Sequence, residues 1–89
     1  MTDRELLELA GLAAGETYSQ ERNPLERDDL ALRLAVKLGI APIQDQKEKV
    51  CAAYWTDVHC AHSAYKDDPY AATRRAIVRA AAEIGRNMK

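Results

Sequence analysis

A short segment near the C-terminus contains one tyrosine and three arginines: Tyr70, Arg74, Arg75 and Arg79. Guanidinium groups bind phosphate through paired N–H bonds, and a tyrosine ring can stack on a nucleobase. The start of a helix would add free N–H groups and the positive end of its dipole. The pattern therefore predicts a site for a phosphate-bearing ligand. The alternative is a solvated helix face that pairs with the acidic N-terminal third, and Asp67 and Asp68 would compete with an anion.

A second group combines two thiols and an imidazole. A hairpin of Val50 to Trp55 and Val58 to Tyr65 would place Cys51 opposite His62, with Cys60 on the same face. Thiolate and imidazole are zinc ligands, and a cysteine beside a histidine is also a nucleophile with its base. Only three ligands are evident, and neither an orienting acid nor an oxyanion hole accompanies them. Core packing of the cysteines is therefore favoured, and we predict no metal, no cofactor and no enzymatic activity.

Aromatic and apolar residues outside these groups indicate contact surfaces. Leu32 and Val36 lie on a second apolar face of the predicted middle helix, which favours cover on two sides. Trp55 belongs to an aromatic group that either fills a core without phenylalanine or forms an interface or stacking patch. We take Leu32, Val36 and Trp55 as candidate interface residues.

Three helices are marked by their caps. Thr2 and Glu5 have capping-box spacing, and Gly15 is a plausible stop. The second helix is predicted from Asp28 or Asp29, as its cap, to Gly39. The third is predicted to begin at Pro69, capped by Asp67 or Asp68.

The remaining segments predict strands. Residues 17–20 are predicted as a short strand and residues 40–48 as a loop. The hairpin described above is predicted to turn at residues 56–57. This turn would place Trp55 opposite Val58 and Tyr54 opposite His59. The order predicts an α+β fold, a small α/β/α sandwich with a short antiparallel sheet of two to three strands and helices on both faces.

Composition limits the function classes. A chain of 89 residues predicts a single domain over residues 1–89, and its 16 alanines predict a thin core for which oligomerisation is an ordinary remedy. The net charge of −1 disfavours nucleic acid as a partner. Neither a membrane-spanning run nor a signal peptide is evident, so we expect a cytoplasmic protein with reduced cysteines.

Three blocks of sequence carry a family resemblance. Residues 1–10, residues 23–25 followed by residues 29–39, and above all residues 68–85 resemble the phage ABA sandwich family of small phage and prophage proteins. The middle of the chain, residues 43–66, matches less. The resemblance implies the sandwich fold and a phage or prophage origin, and it implies no activity.

Three function hypotheses follow. The favoured one is a non-enzymatic accessory protein, a homo-oligomer in the host cytosol that sequesters a phosphate-bearing small molecule such as a nucleotide immune signal, and so counters host defence. The alternative is a protein–protein inhibitor or adaptor acting on a host protein through the acidic first third. A metal-binding or thiol-dependent protein built on the cysteines and His62 is the lesser alternative.

Overall fold

The computed structural model describes residues 2–55 and 60–88. This part of the chain forms an α+β fold of three helices and one three-stranded antiparallel sheet, as predicted. In chain order the elements are α1 (Asp3–Ala14), α2 (Asp28–Leu38), β1 (Ala41–Asp45), β2 (Val50–Tyr54), β3 (Cys60–Ala64) and α3 (Pro69–Asn87).

The predicted ends of α1 and α3 are confirmed. The Glu5 amide donates to Thr2 Oγ1 at 3.2 Å, and the Thr2 amide donates to the Glu5 carboxylate, which completes the capping box. Asp68 accepts from the first free amides of α3, with Pro69 at the first helical position. Gly15 ends α1 with a φ of 70°, which favours glycine.

The cap predicted for α2 is wrong. Arg27 is the N-cap residue and makes no side-chain cap bond, while Asp28 and Asp29 lie in the first turn. Their charges still stabilise the positive end of the helix. Each carboxylate also bonds an arginine, Asp28 to Arg74 and Asp29 to Arg27.

The third strand is not where the sequence predicted it. Residues 17–20 form no strand, and Tyr18 packs there against the core. The strand that completes the sheet is β1, within the predicted loop. Pro42 hides it from sequence analysis because proline is rare in strands. An edge strand tolerates proline, and β1 is an edge of the sheet.

The hairpin exists, but its predicted register is wrong by one residue. Cys51 pairs with Ser63, Ala52 with His62 and Tyr54 with Cys60. Because side chains alternate between the two faces of a strand, a slip of one residue moves each side chain of one strand to the other face relative to its partner. The predicted pairings of Trp55 with Val58 and of Tyr54 with His59 involve residues outside the described part.

Within the predicted α+β fold, the placing of helices on both faces of the sheet is the part that differs among the described residues. One face of the sheet packs on α3, and among the described residues α1 and α2 make their main contacts with α3 rather than with the sheet. The opposite face carries Ile43, which is 57% exposed, and the exposed ring of Tyr54. The small covered face of a three-stranded sheet accommodates one long helix, and the other two helices bury their apolar stripes on that helix.

Small residues bring α1 and α3 into close contact. The core is rich in alanine, with Leu34 and Val78 among its largest fully buried side chains. At Gly85 a Cβ atom would lie 1.9 Å from the Leu9 carbonyl oxygen, so only glycine fits this crossing. Within the described part, no helix combines the length and apolarity needed to cross a bilayer.

Candidate functional site

A cleft of about 480 Å³ lies between the C-terminal half of α3 and the ends of β2 and β3. Its chemically active lining residues are Trp55, Cys60, His62, Arg79, Glu83 and Arg86. The cleft thus combines groups that the sequence distributes over three separate candidate sites. Its volume falls within the range of small-molecule sites.

Helix and strand periodicity position these groups. Arg79, Glu83 and Arg86 follow one another at intervals of four and three residues, which places them on one face of α3. Cys60 and His62 are two residues apart on β3 and therefore share a face of that strand. A regular helix crossing a strand end is sufficient to assemble the cleft.

Arg79 connects the helix to the sheet. One of its terminal nitrogens donates to the His62 carbonyl oxygen at 3.0 Å. This bond satisfies a backbone acceptor on β3, which is an edge of the sheet. A guanidinium group carries five N–H donors, so the same side chain can hold the strand and still bind an oxyanion.

The charge at the rim is mixed but positive. Arg86 forms an ion pair with Glu83 at 3.4 Å, and both side chains are about half exposed, at 53% and 42%. An exposed pair of this kind contributes little to stability, so Arg86 can exchange its partner at small cost. Two guanidinium groups against one carboxylate favour an anionic ligand.

The two cysteines lie in different environments. Cys60 is half-buried at the cleft, and its sulfur is 3.8 Å from His62 Nε2. Cys51 is fully buried on the face that packs on α3, where burial raises the pKa of its thiol. The predicted group of Cys51, Cys60 and His62 is therefore divided between the two faces of the sheet. Among the described residues, no three metal-ligating side chains come together.

The four predicted ligand residues point to different parts of the molecule. Arg74 donates to the Leu25 carbonyl oxygen at 2.8 Å and to Asp28 at 2.7 Å, and its side chain is only 17% exposed. Arg75 bonds Asp3 at 2.9 Å, at the start of α1. Of the predicted set, Arg79 alone lines the cleft between α3 and β3.

Tyr70 is 71% exposed and lies with Arg74 beside a smaller cleft of about 210 Å³. Within residues 2–55 and 60–88, the four predicted residues therefore do not line one common pocket. Arg74 and Arg75 instead follow the alternative interpretation, in which arginines of α3 pair with the acidic N-terminal third.

The candidate interface residues also separate. Leu32 and Val36 are 64% and 74% exposed, one turn apart on α2. Trp55 is partly buried, lines the cleft between α3 and β3 and packs against the core. A contact surface centred on α2 would therefore not include Trp55.

Arg86 and Glu83 are the charged residues of the cleft that the predicted site omits. The spacing of seven residues from Arg79 to Arg86 is the signal that places both arginines on one helix face. The sequence does not reveal that β3 begins beside this face.

Comparison of the chain with protein-family models, curated proteins and solved structures found no match. The resemblance to the phage ABA sandwich family therefore stays a prediction.

Proposed function

We propose that the protein binds a small molecule carrying both phosphate and a flat ring, such as a nucleotide, in the cleft between α3 and β3. The observation that carries the proposal is the convergence of Arg79, Arg86 and Trp55 on one cleft. Guanidinium groups bind phosphate oxygens in pairs, and an indole ring stacks on a base. The protein acts by holding its ligand, without turnover.

Each polar side chain of the cleft has a role in the proposed binding. Arg79 and Arg86 bind the phosphate oxygens, and the exposed imidazole of His62 adds a further hydrogen-bonding group at the rim. Glu83 opposes the anion and competes for Arg86, so it weakens binding and favours ligands that also offer a hydrogen-bond donor. This balance favours a nucleotide over bare inorganic phosphate.

The biological role that we propose is sequestration of a nucleotide signal of host immunity in the host cytosol, by a phage or prophage protein. Its support is the family resemblance of the two ends of the chain together with the chemistry of the cleft. A protein of this size is useful to a phage without catalysis if it removes a signal stoichiometrically.

A titration tests the binding site directly. Trp55 is the one tryptophan of the chain, so its fluorescence reports on the cleft. A panel of linear and cyclic nucleotides and pyrophosphate is titrated into the protein at low salt, and the ligand is recovered and checked for chemical change. At least one nucleotide is expected to bind at one equivalent per site and to be recovered intact.

Charge variants locate the binding. Arg86→Gln should weaken the affinity about tenfold, as expected for loss of a charge-assisted pair. Glu83→Gln should strengthen it, because a competing negative charge is removed. Arg33→Gln, on the exposed surface of α2, is the matched control and should leave the affinity unchanged. No binding by any probe, or equal effects of Arg86→Gln and Arg33→Gln, would exclude this site.

The exposed pair on α2 supports a second candidate function. Leu32 and Val36 form an apolar stripe that a second copy of the chain could cover in a homo-oligomer, and a host protein is the alternative occupant. Sedimentation of the wild type, Val36→Glu and the control Lys37→Glu distinguishes the two. A dimer lost only in Val36→Glu supports self-association, whereas a monomeric wild type contradicts it.

A further inference from the structure

The two thiols of the chain differ in access and in neighbours. Cys51 is fully buried beneath α3, and its pKa is raised by that burial. Cys60 is half-buried at the wall of the cleft between α3 and β3. The first thiol is shielded from reagents by the core, and the second opens onto a cleft of about 480 Å³.

The groups around Cys60 suit a reaction at sulfur. His62 Nε2 lies 3.8 Å from the Cys60 sulfur, within hydrogen-bond distance for a thiol. Arg79 and Arg86 line the same cleft as Cys60. A thiolate is the reactive form of cysteine, and a neighbouring imidazole is a base that can take up the thiol proton during attack.

We propose that Cys60 is a modification site that forms a mixed disulfide with small anionic disulfides entering the cleft. His62 accepts the thiol proton, and the Cys60 thiolate attacks one sulfur of the incoming disulfide. The bond between the two sulfurs of the reagent breaks as the new bond forms. The departing thiolate takes up the proton, so one disulfide and one thiol are consumed and one of each is produced.

The positive rim gives this reaction its selectivity. Arg79 and Arg86 attract negatively charged reagents to the cleft, and the attraction weakens with added salt. The attached group would then occupy the volume in which we propose that the nucleotide binds. The reactivity of Cys60 itself does not depend on that proposed function, because it rests on the thiol, the imidazole and the two arginines.

The test compares two disulfide reagents on the native, reduced protein. Dithiobis(nitrobenzoate) is dianionic and dithiodipyridine is neutral, and both release a coloured thiol whose rate of appearance is followed. Peptide mass spectrometry of the wild type identifies the modified cysteine without any substitution. Cys60→Ser and Cys51→Ser repeat the measurement on one thiol at a time, and glutathione disulfide provides a biological reagent of the same charge class.

The account predicts that Cys60 reacts at least about tenfold faster than Cys51, whose modification requires local opening of the core. Arg86→Gln should slow the dianionic reagent about threefold at low salt and leave the neutral reagent unchanged, and Arg33→Gln should change neither. Modification of Cys51 first, or of both thiols at equal rates, would overturn the proposal. An equal response of the two reagents to Arg86→Gln would overturn the selectivity.

These outcomes separate this inference from the proposed function. Fast modification of Cys60 with no nucleotide binding would leave the thiol site standing and remove the nucleotide site. Nucleotide binding together with slow modification of Cys60 would support the nucleotide site and remove the thiol site.

Discussion

The two halves of α3 carry the same residue type and use it differently. In the N-terminal half, Arg74 and Arg75 are bound to Leu25, Asp28 and Asp3 on other elements. In the C-terminal half, Arg79 and Arg86 line a cleft. The first half thus joins α3 to the acidic part of the chain through side chains.

Backbone proximity anchors the second half. Gly85 lets α3 approach the Leu9 carbonyl of α1 directly, so no long side chain is needed there to hold the two helices together. The comparison teaches that the neighbours of an arginine decide whether its side chain joins distant parts of the chain or lines the cleft, where we propose that it binds a ligand. Helix periodicity alone does not distinguish the two roles.

The largest expected loss of stability comes from a substitution that disrupts the close backbone contact between α1 and α3. Glycine to alanine normally stabilises a helix interior by about 1 kcal/mol. Gly85→Ala should instead lower the free energy of unfolding by about 3 kcal/mol or more, because its Cβ would overlap the Leu9 oxygen. Urea denaturation measures the change. Gly15→Ala is the control: its Cβ would meet open space, so only its positive φ costs energy, about 1 kcal/mol.

The next largest loss is expected from a substitution that removes side-chain bonds made by the N-terminal half of α3. Arg74→Ala should cost about 2 kcal/mol of unfolding free energy, because a largely buried guanidinium loses bonds to a carbonyl and a carboxylate. Arg27→Ala breaks an exposed pair with Asp29 and should cost less than about 1 kcal/mol. Equal losses in thermal or urea unfolding would contradict the structural role of Arg74.

A smaller effect of opposite sign is expected at Tyr65. Its hydroxyl oxygen is buried and has no hydrogen-bond partner among the described residues. Tyr65→Phe should therefore raise the unfolding free energy by up to about 1 kcal/mol, because a desolvated polar group disappears. Tyr54→Phe, whose ring is 37% exposed, should have no measurable effect. A loss of stability in Tyr65→Phe would show that the hydroxyl has a partner.

The smallest effect concerns pH and the buried thiol. Burial raises the pKa of Cys51 above its value of about 8.5 in an unfolded chain. The stabilising contribution of the neutral thiol is therefore complete below about pH 8.5 and is lost as pH rises towards the folded pKa. Denaturation measured at neutral pH and at pH values above about 8.5 should show this decline in the free energy of unfolding for the wild type and for Cys60→Ser. Cys51→Ala should show less of it, and an unchanged decline would assign the effect to another group.

Much of the fold could be predicted from the sequence because its signals are local. The capping box at Thr2, Pro69 at the start of α3 and the glycine stops act within one helical turn. The strand β1 could not be predicted, since its place depends on pairing with β2 and its Pro42 argues against a strand. The hairpin register depends on the length of its turn, and a change of one residue separates Cys51 from His62.

The candidate site was predictable only in part. The sequence places Arg79 and Arg86 on one helix face, but Arg74 also looks available until Leu25 and Asp28 are seen beside it. Arg74 contacts Leu25 and Asp28, which lie 49 and 46 positions earlier in the chain. Contacts over such separations leave no local pattern in the sequence. Cys60 and His62 reach the same cleft only because β3 is the edge of the sheet beside α3.

The most direct test of the central claim maps an anion onto the two halves of α3. Amide and arginine side-chain NMR spectra are recorded during titration with pyrophosphate and with the best-binding nucleotide. The account predicts saturable shifts at Arg79, Arg86, His62 and the Trp55 indole, with Arg74 and Arg75 unchanged. Shifts centred on Arg74 and Arg75, or none at Arg86, would contradict it.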